Sequence, residues 1–251
     1  MSQGQQHALV IGASLAGLLA ARVLSQHYAR VTLLERDALD ELPPEAPRKG
    51  VPQGRHAHGL LAQGRVVLER YFPGLTEAVV ARGGLVGDVM NEVNWYGHGT
   101  QLAQRPSPLV GLLTNRPLLE ACVRERLLAR PGIELMQGSA AERLLFEDGR
   151  VTGLACRDPQ GIEQVLKADL VVDCSGRGSH GPQWLQALGW PRVQEERVEV
   201  GIGYTTRLYR RRPGDLAGKL AVVVAGDAPN WRNGAMLYHG PERWIVSVGG
   251  Y

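Results

Sequence analysis

Cysteine is scarce in this 251-residue chain, and the three present, Cys122, Cys156 and Cys174, stand far apart. No C-x-x-C pair occurs and no Cys/His spacing suits a metal, so neither a disulfide framework nor a metal site is expected. The cysteines read as small, reduced core residues, which points to a cytoplasmic setting. An excess of one charge is also missing: 28 Lys and Arg against 25 Asp and Glu leave a net +3. Without a basic block and interleaved aromatics, a nucleic-acid partner is excluded. The apolar run from Ala8 to Leu24 is broken by Gly12, Gly17 and Arg22, and no Lys or Arg precedes it. Neither a signal peptide nor a transmembrane segment is expected. There are no repeats or low-complexity tracts. Nor is there a nucleophile elbow, a carboxylate pair or a zinc set, so no side chain is assigned nucleophilic work. The five tryptophans read as packing and sheet surface.

The chain does have apolar bulk, at 44%, enough for one large domain or two small ones. It opens with an informative stretch. His7 to Ile11 is a short apolar run suited to a buried parallel strand, and Val31 to Leu34 is a second one. Between them Ala16, Leu19, Ala20, Val23, Leu24 and His27 recur at three and four, predicting a helix with one face on a sheet. The turn Gly12-Ala13-Ser14-Leu15-Ala16-Gly17 links strand to helix. Gly12 lets the chain leave the strand sharply, and Gly17 lets the helix lie close to the strands. The first helical amides and the positive end of the dipole then suit a pyrophosphate. Glu35 stands where an acid accepts hydrogen bonds from ribose hydroxyls. Ser14 occupies the middle glycine position of G-x-G-x-x-G; its hydroxyl is a further donor to phosphate.

After an exposed loop over 37–47 comes Arg48-Lys-Gly-Val-Pro-Gln-Gly54-Arg55-His56-Ala-His58. Beside a nucleotide turn, this is either an anion-facing edge or a solvated charge run. A helix is predicted with Ala57, Leu60, Leu61, Gly64, Leu68 and Tyr71 on one face, stopped by Phe72-Pro73-Gly74. From Leu85 to Gln104 the helical period gives way to extended segments of another layer. Thr114-Asn115-Arg116-Pro117 reads as a helix start, with Leu118, Leu119, Cys122, Val123 and Leu127 facing inward. Arg116 opposes the helix dipole there, a conflict that a nearby anion would resolve. A strand over 133–136 precedes a β-meander: 141–147, a turn at Asp148-Gly149, 151–157, a turn at Asp158-Pro159-Gln160-Gly161, then 162–167. Residues 169–176 read as another buried parallel strand ending in a turn at Ser175-Gly176, open on the side of the Gly12 turn. Strict alternation of Val198, Val200, Ile202, Tyr204, Thr206 and Leu208 predicts a half-buried strand. Strands over 220–225, 235–239 and 243–248 complete an antiparallel sheet.

The turn Gly12–Gly17 with Glu35-Arg36, the segment Thr114-Asn115-Arg116-Pro-Leu-Leu-Glu, the meander and the strand Asp169-Leu-Val-Val-Asp-Cys-Ser175-Gly176 occur in one order and spacing. Together they resemble the class A FAD-dependent monooxygenases, the group of aromatic hydroxylases, geranylgeranyl reductases and squalene-type epoxidases. The resemblance implies an α/β fold: a Rossmann-like FAD-binding βαβ sheet with a three-stranded β-meander crossover, plus an antiparallel-sheet substrate domain. It implies FAD as cofactor, the residues Gly12 to Gly17 facing the pyrophosphate, Glu35 and Arg36 the adenosine ribose, and Arg116 with Ser175 and Gly176 also at the FAD. Arg48 joins these as a cofactor-binding candidate, while His56, His58 and Arg55 are candidates near the flavin edge. Expected domains are 1–85 and 108–190 for FAD, and 86–107 and 191–251 for substrate.

Two departures qualify the likeness. Ser175 stands where the family has the Asp of a D-G pair, tied to NAD(P)H as well as FAD. NAD(P)H is therefore one candidate reductant and a separate flavin reductase another. The family's third motif is missing, since Gly226-Asp227-Ala228 reads as a strand-to-turn coincidence, and the substrate sheet is expected to be truncated. The implied activity is monooxygenation, by hydroxylation or epoxidation of a small apolar, aromatic, polyketide- or isoprenoid-like molecule through a flavin C4a-hydroperoxide. The alternatives are a flavin-dependent double-bond reductase, an NAD-dependent dehydrogenase using the same turn, or a non-catalytic FAD-binding fragment. The W-x-W-x-x-I-P run of flavin halogenases is absent.

Overall fold

The computed structural model describes residues 6–43 and 46–251; residues 44 and 45 of the exposed loop expected over 37–47 lie outside the described residues. In chain order the elements are β1 (His7–Ile11), α1 (Leu15–Leu24), β2 (Arg30–Glu35), α2 (Ala62–Tyr71), α3 (Leu75–Ala81), β3 (Leu85–Asp88), β4 (Val93–Gly97), β5 (Thr100–Gln101), β6 (Val110–Leu113) and α4 (Arg116–Leu128). They continue as β7 (Ile133–Gln137), β8 (Ala140–Glu147), β9 (Arg150–Arg157), β10 (Glu163–Lys167), β11 (Leu170–Asp173), α5 (Gly181–Ala187), β12 (Gly203–Arg210), β13 (Ala221–Val224), β14 (Asn233–Tyr238) and β15 (Arg243–Gly250). The chain divides into two units, 1–43 with 123–197 and 44–122 with 198–251. Residues 44–85 and 108–122 thus group with the antiparallel strands.

The first unit is built on a four-stranded parallel sheet in the order β11-β1-β2-β7. Leu9 and Ile11 of β1 pack with Leu34, Leu154 and Cys156, so one face of the sheet lies on the meander β10-β9-β8. Each such fully buried aliphatic side chain contributes about 1.5–3 kcal/mol. Val10 points the other way, towards Gly17 of α1. With both faces covered, β1 reads as an unbroken apolar run rather than an alternation. His7 fixes the entry to the sheet: its Nδ1–H donates to the Lys167 carbonyl (2.9 Å), and its Nε2 accepts from the buried Thr32 hydroxyl (2.9 Å). The turn between β8 and β9 has Asp148 and Gly149 both at positive φ, the geometry that Asp-Gly favours in a two-residue hairpin.

The face of α1 differs from the expected one. Gly17, Leu18 and Ala21 are buried, whereas Ala16, Val23 and His27 are exposed. The contact is made backbone to backbone at a glycine, a signal that hydrophobic periodicity does not carry. The last strand of the sheet, β11, is only half-buried rather than fully so.

The second unit holds a six-stranded sheet, β12-β15-β14-β13-β4-β5, and the pair β3-β6. Its core gathers Val93, Leu113, Leu220, Ala221, Tyr238 and Trp244. Trp244 Nε1–H donates to Asp215 (2.9 Å), and the Tyr238 hydroxyl donates to the Gly83 carbonyl (2.8 Å). Three expectations need correction here. The sheet is not wholly antiparallel, because β13 and β4 run parallel. The helix expected from Ala57 starts at Ala62, because Leu60 instead exchanges two backbone hydrogen bonds with Leu112. The strand expected from Val198 starts at Gly203 and is exposed along almost its whole length. It is an edge strand, and alternation reports a buried face only where something covers one side. Among the described residues no helix is long and apolar enough to cross a membrane.

Candidate functional site

In the first unit the C-terminal ends of β1, β2 and β11 meet at the Gly12 turn. Gly12 has φ +95°, and a Cβ there would lie 2.7 Å from the Cys174 carbonyl oxygen. Only glycine fits that crossing. At Gly17 a Cβ would lie 1.8 Å from the Gly12 carbonyl oxygen, so the helix rests directly on the turn. Ala13 is buried, Leu15 is half-buried and Ala16 is exposed. Ser14 is the N-cap of α1 in extended conformation, its side chain makes no capping hydrogen bond, and the first turn contains no acidic residue.

Glu35 is buried at 4% exposure and braces this turn. Its Oε2 accepts from the Ala13 amide (2.9 Å) and its Oε1 from the Asp37 amide (3.0 Å). The next residue, Arg36, is exposed. Glu35→Gln puts an NH2 group against one of two donating amides. It is expected to destabilise the protein by about 1.5–3 kcal/mol, the range for hydrogen bonds to a charged group. Urea unfolding of the two proteins measures this, and unchanged midpoints would refute the bracing role.

Ser175 and Gly176 lie just past β11 on the same edge of the sheet, both exposed. The Ser175 amide and hydroxyl both donate to Asp173 Oδ1 (2.8 and 2.5 Å), and the Ser179 hydroxyl donates to Oδ2 (2.5 Å). Partial burial pushes the Asp173 carboxyl up, but these hydrogen bonds outweigh it and hold it below the usual carboxylate range. Sequence reasoning missed Asp173 as the anchor of this turn, although an Asp two residues before a Ser is a readable Asx-type signal.

The second unit contains the remaining candidates. Arg48 is buried, not a member of a solvated run, and its Nε donates to Glu120 Oε1 (2.8 Å). Arg116 Nε lies 3.9 Å from the other oxygen of Glu120, and Arg116 Nη1 donates to His58 Nε2 (3.3 Å). Glu120 thus supplies the anion that Arg116 requires at the start of α4, four residues away on the same helix face. The Asn115 side chain caps that helix by accepting from the Leu118 amide (2.7 Å). Burial lowers the His58 pKa, and the charge of Arg116 lowers it further.

The two histidines therefore face different partners. His56 Nδ1 lies 2.8 Å from the Thr206 hydroxyl, which lies 2.7 Å from that of Ser247 on the neighbouring strand. No local pattern announces this rung, because the register of β12 on β15 creates it. Arg55 lines a cleft of about 610 Å³, walled by Leu208 and Ile245 with Asn115, His239 and Arg243.

The fold is the one seen in solved FAD-dependent monooxygenases. PqsL of Pseudomonas aeruginosa, described as a probable FAD-dependent monooxygenase, matches with a TM-score of 0.72 at 19% identity, over 98% of this chain and 61% of that one. p-Nitrophenol 4-monooxygenase PnpA of Pseudomonas putida matches with a TM-score of 0.63 at 17% identity, over 97% of this chain and 57% of that one. The flavin-dependent brominase Bmp2 matches at 0.65 and 15%, over 97% and 56%. Among curated proteins, Protein Rv3254 of Mycobacterium tuberculosis is 36% identical over 266 aligned residues, covering 98% of this chain and 53% of that protein. The chain thus spans about half the length of this relative. No model of a known protein family matches it.

Proposed function

We propose that the chain binds FAD and serves as the FAD-binding and substrate-sheet portion of a monooxygenase. The observation that carries this is the glycine turn at the C-terminal edge of a parallel sheet, in a fold otherwise found in FAD-dependent monooxygenases. The residues suit the cofactor. The start of α1 has neither a side-chain cap nor an acid, so its amides favour an anionic diphosphate. Glu35 accepts the Ala13 and Asp37 amides beside this turn, and a carboxylate is an acceptor suited to ribose hydroxyls.

When bound and reduced, the flavin would supply the electrons that split dioxygen between substrate and water. The chain's own part is to hold and orient. In our reading the cleft along Leu208 and Ile245 takes the apolar body of a small aromatic or alkene-bearing substrate, with Arg55 and Arg243 at its polar end. PqsL, which shares the fold, is known in complex with 2-aminobenzoylacetate. Cys122, Cys156 and Cys174 are all thiols, in keeping with a cytoplasmic reaction.

Absorption spectra of the purified protein, alone and titrated with FAD, test the binding. A perturbed flavin spectrum that saturates at one FAD per chain is expected, and no perturbation would overturn the reading. Oxygen uptake driven by NAD(P)H, compared with that driven by flavin reduced by a separate reductase, then identifies the electron source.

A further inference from the structure

The register of β12 on β15 sets side chains of one kind opposite each other three times in succession. Arg210 faces Arg243, Leu208 faces Ile245, and Thr206 faces Ser247. Side chains alternate along a strand, so all six share one face, with about 7 Å from rung to rung. All belong to the second unit. The cationic rung is the anomaly, because like charges directly opposite each other destabilise a sheet. Among the described residues no carboxylate pairs with either guanidinium, and Arg55 lines the same cleft as Arg243. Glu242 is the one carboxylate among the residues lining that cleft. His239, also in the lining, adds no cation, since burial and the Arg243 charge both hold it towards the neutral form. An anion at this end would remove the conflict.

The far rung has different chemistry. His56 Nδ1 lies 2.8 Å from the Thr206 hydroxyl, which lies 2.7 Å from that of Ser247, and the Ala57 amide donates to Ser247 Oγ (3.3 Å). With a neutral ring, this chain of hydrogen bonds runs in either direction. From histidine to serine, it leaves the Ser247 O–H as a donor and His56 Nε2 as an acceptor. Reversed, it leaves the His56 Nε2–H as a donor and a Thr206 lone pair as an acceptor. Both arrangements suit a hydroxyl, which donates and accepts.

We propose that the three rungs select a two-headed ligand: a carboxylate at Arg210 and Arg243, an apolar body over Leu208 and Ile245, and a hydroxyl at His56, Thr206 and Ser247. Four residues, about 13 Å of strand, separate Arg243 from Ser247. Side chains reach inwards from both ends, which leaves room for one ring with a short linker. That this ligand is the substrate rests on the monooxygenase reading above; the ladder itself does not.

The test is calorimetric titration of the full chain, without FAD, by three probes. 3-(4-Hydroxyphenyl)propionate has both heads, 3-phenylpropionate lacks the hydroxyl, and 4-ethylphenol lacks the carboxylate. The first should bind about tenfold more tightly than either of the others. Thr206→Val removes one hydroxyl at nearly constant volume. It should erase the preference over 3-phenylpropionate and leave the binding of 3-phenylpropionate itself unchanged. Arg243→Gln should instead erase the preference over 4-ethylphenol and leave that phenol unchanged. Each variant is read on one head alone, so a general loss of folding cannot imitate the pattern. If the three probes bind equally, if none binds, or if either variant weakens all three alike, the ladder is overturned. If the expected pattern holds while added FAD shows no spectral perturbation, the ladder stands and only the monooxygenase reading falls.

Discussion

Gly17→Ala is expected to lose FAD binding and to lower stability by about 3 kcal/mol, the upper part of the overpacking range. The reason lies in which atoms stand in the way. A methyl group at position 17 would meet the Gly12 carbonyl oxygen at 1.8 Å and its carbon at 2.9 Å. A flexible side chain could swing clear of such a methyl; a peptide held between two strands cannot. Gly12 is fixed by its own amide, which donates to the Leu34 carbonyl at 2.7 Å, and by Cys174, whose amide donates to the Ile11 carbonyl at 2.8 Å. The helix must therefore lift, and the amides proposed to face the diphosphate lift with it. Urea unfolding and FAD titration read the two effects separately. An alanine variant with both unchanged would show that α1 does not depend on this contact.

Glu120→Ala is expected to cost about 3–5 kcal/mol, as for removal of one member of a buried ion pair. Its carboxylate lies between Arg48 and Arg116, and without it two guanidiniums face each other at low exposure with no shared anion. Glu120→Gln should recover part of the loss, since an amide oxygen still accepts the Arg48 Nε–H. The ordering wild type, Gln, Ala in urea midpoints is the expected result. If both variants match wild type, the cluster contributes nothing to stability.

The first unit was legible because its signals are local. β1, β2, the hairpin turn Asp148-Gly149 and the strand ending at Asp173 each announce themselves within a few residues. The inward face of α4 was also readable, since Leu118, Leu119, Cys122, Val123 and Leu127 recur at helical spacing and are all buried. Failures came where a distant partner decides. Leu60 follows the helical pattern of its neighbours, but strand-like bonding to Leu112 takes its backbone. Leu18 faces inward because Gly17 touches the turn, and hydrophobic pattern is blind to glycine. Arg48 carries the same charge as exposed Lys49 and Arg55; only a carboxylate 72 positions away separates it from them. The Thr206–Ser247 rung is likewise a product of register.

The order in which the parallel sheet is threaded has a consequence for synthesis on the ribosome. Its centre, β1 and β2, emerges first, but its flanking strands β7 and β11 emerge only after residues 36–132 have been made. Until then two strands with apolar centres, Ala8–Ile11 and Val31–Leu34, have open edges on both sides, the state in which nascent chains pair wrongly. Slow, chaperone-assisted maturation in a heterologous host follows from this threading, and translation pauses placed after β11 should help yield more than pauses placed before β7.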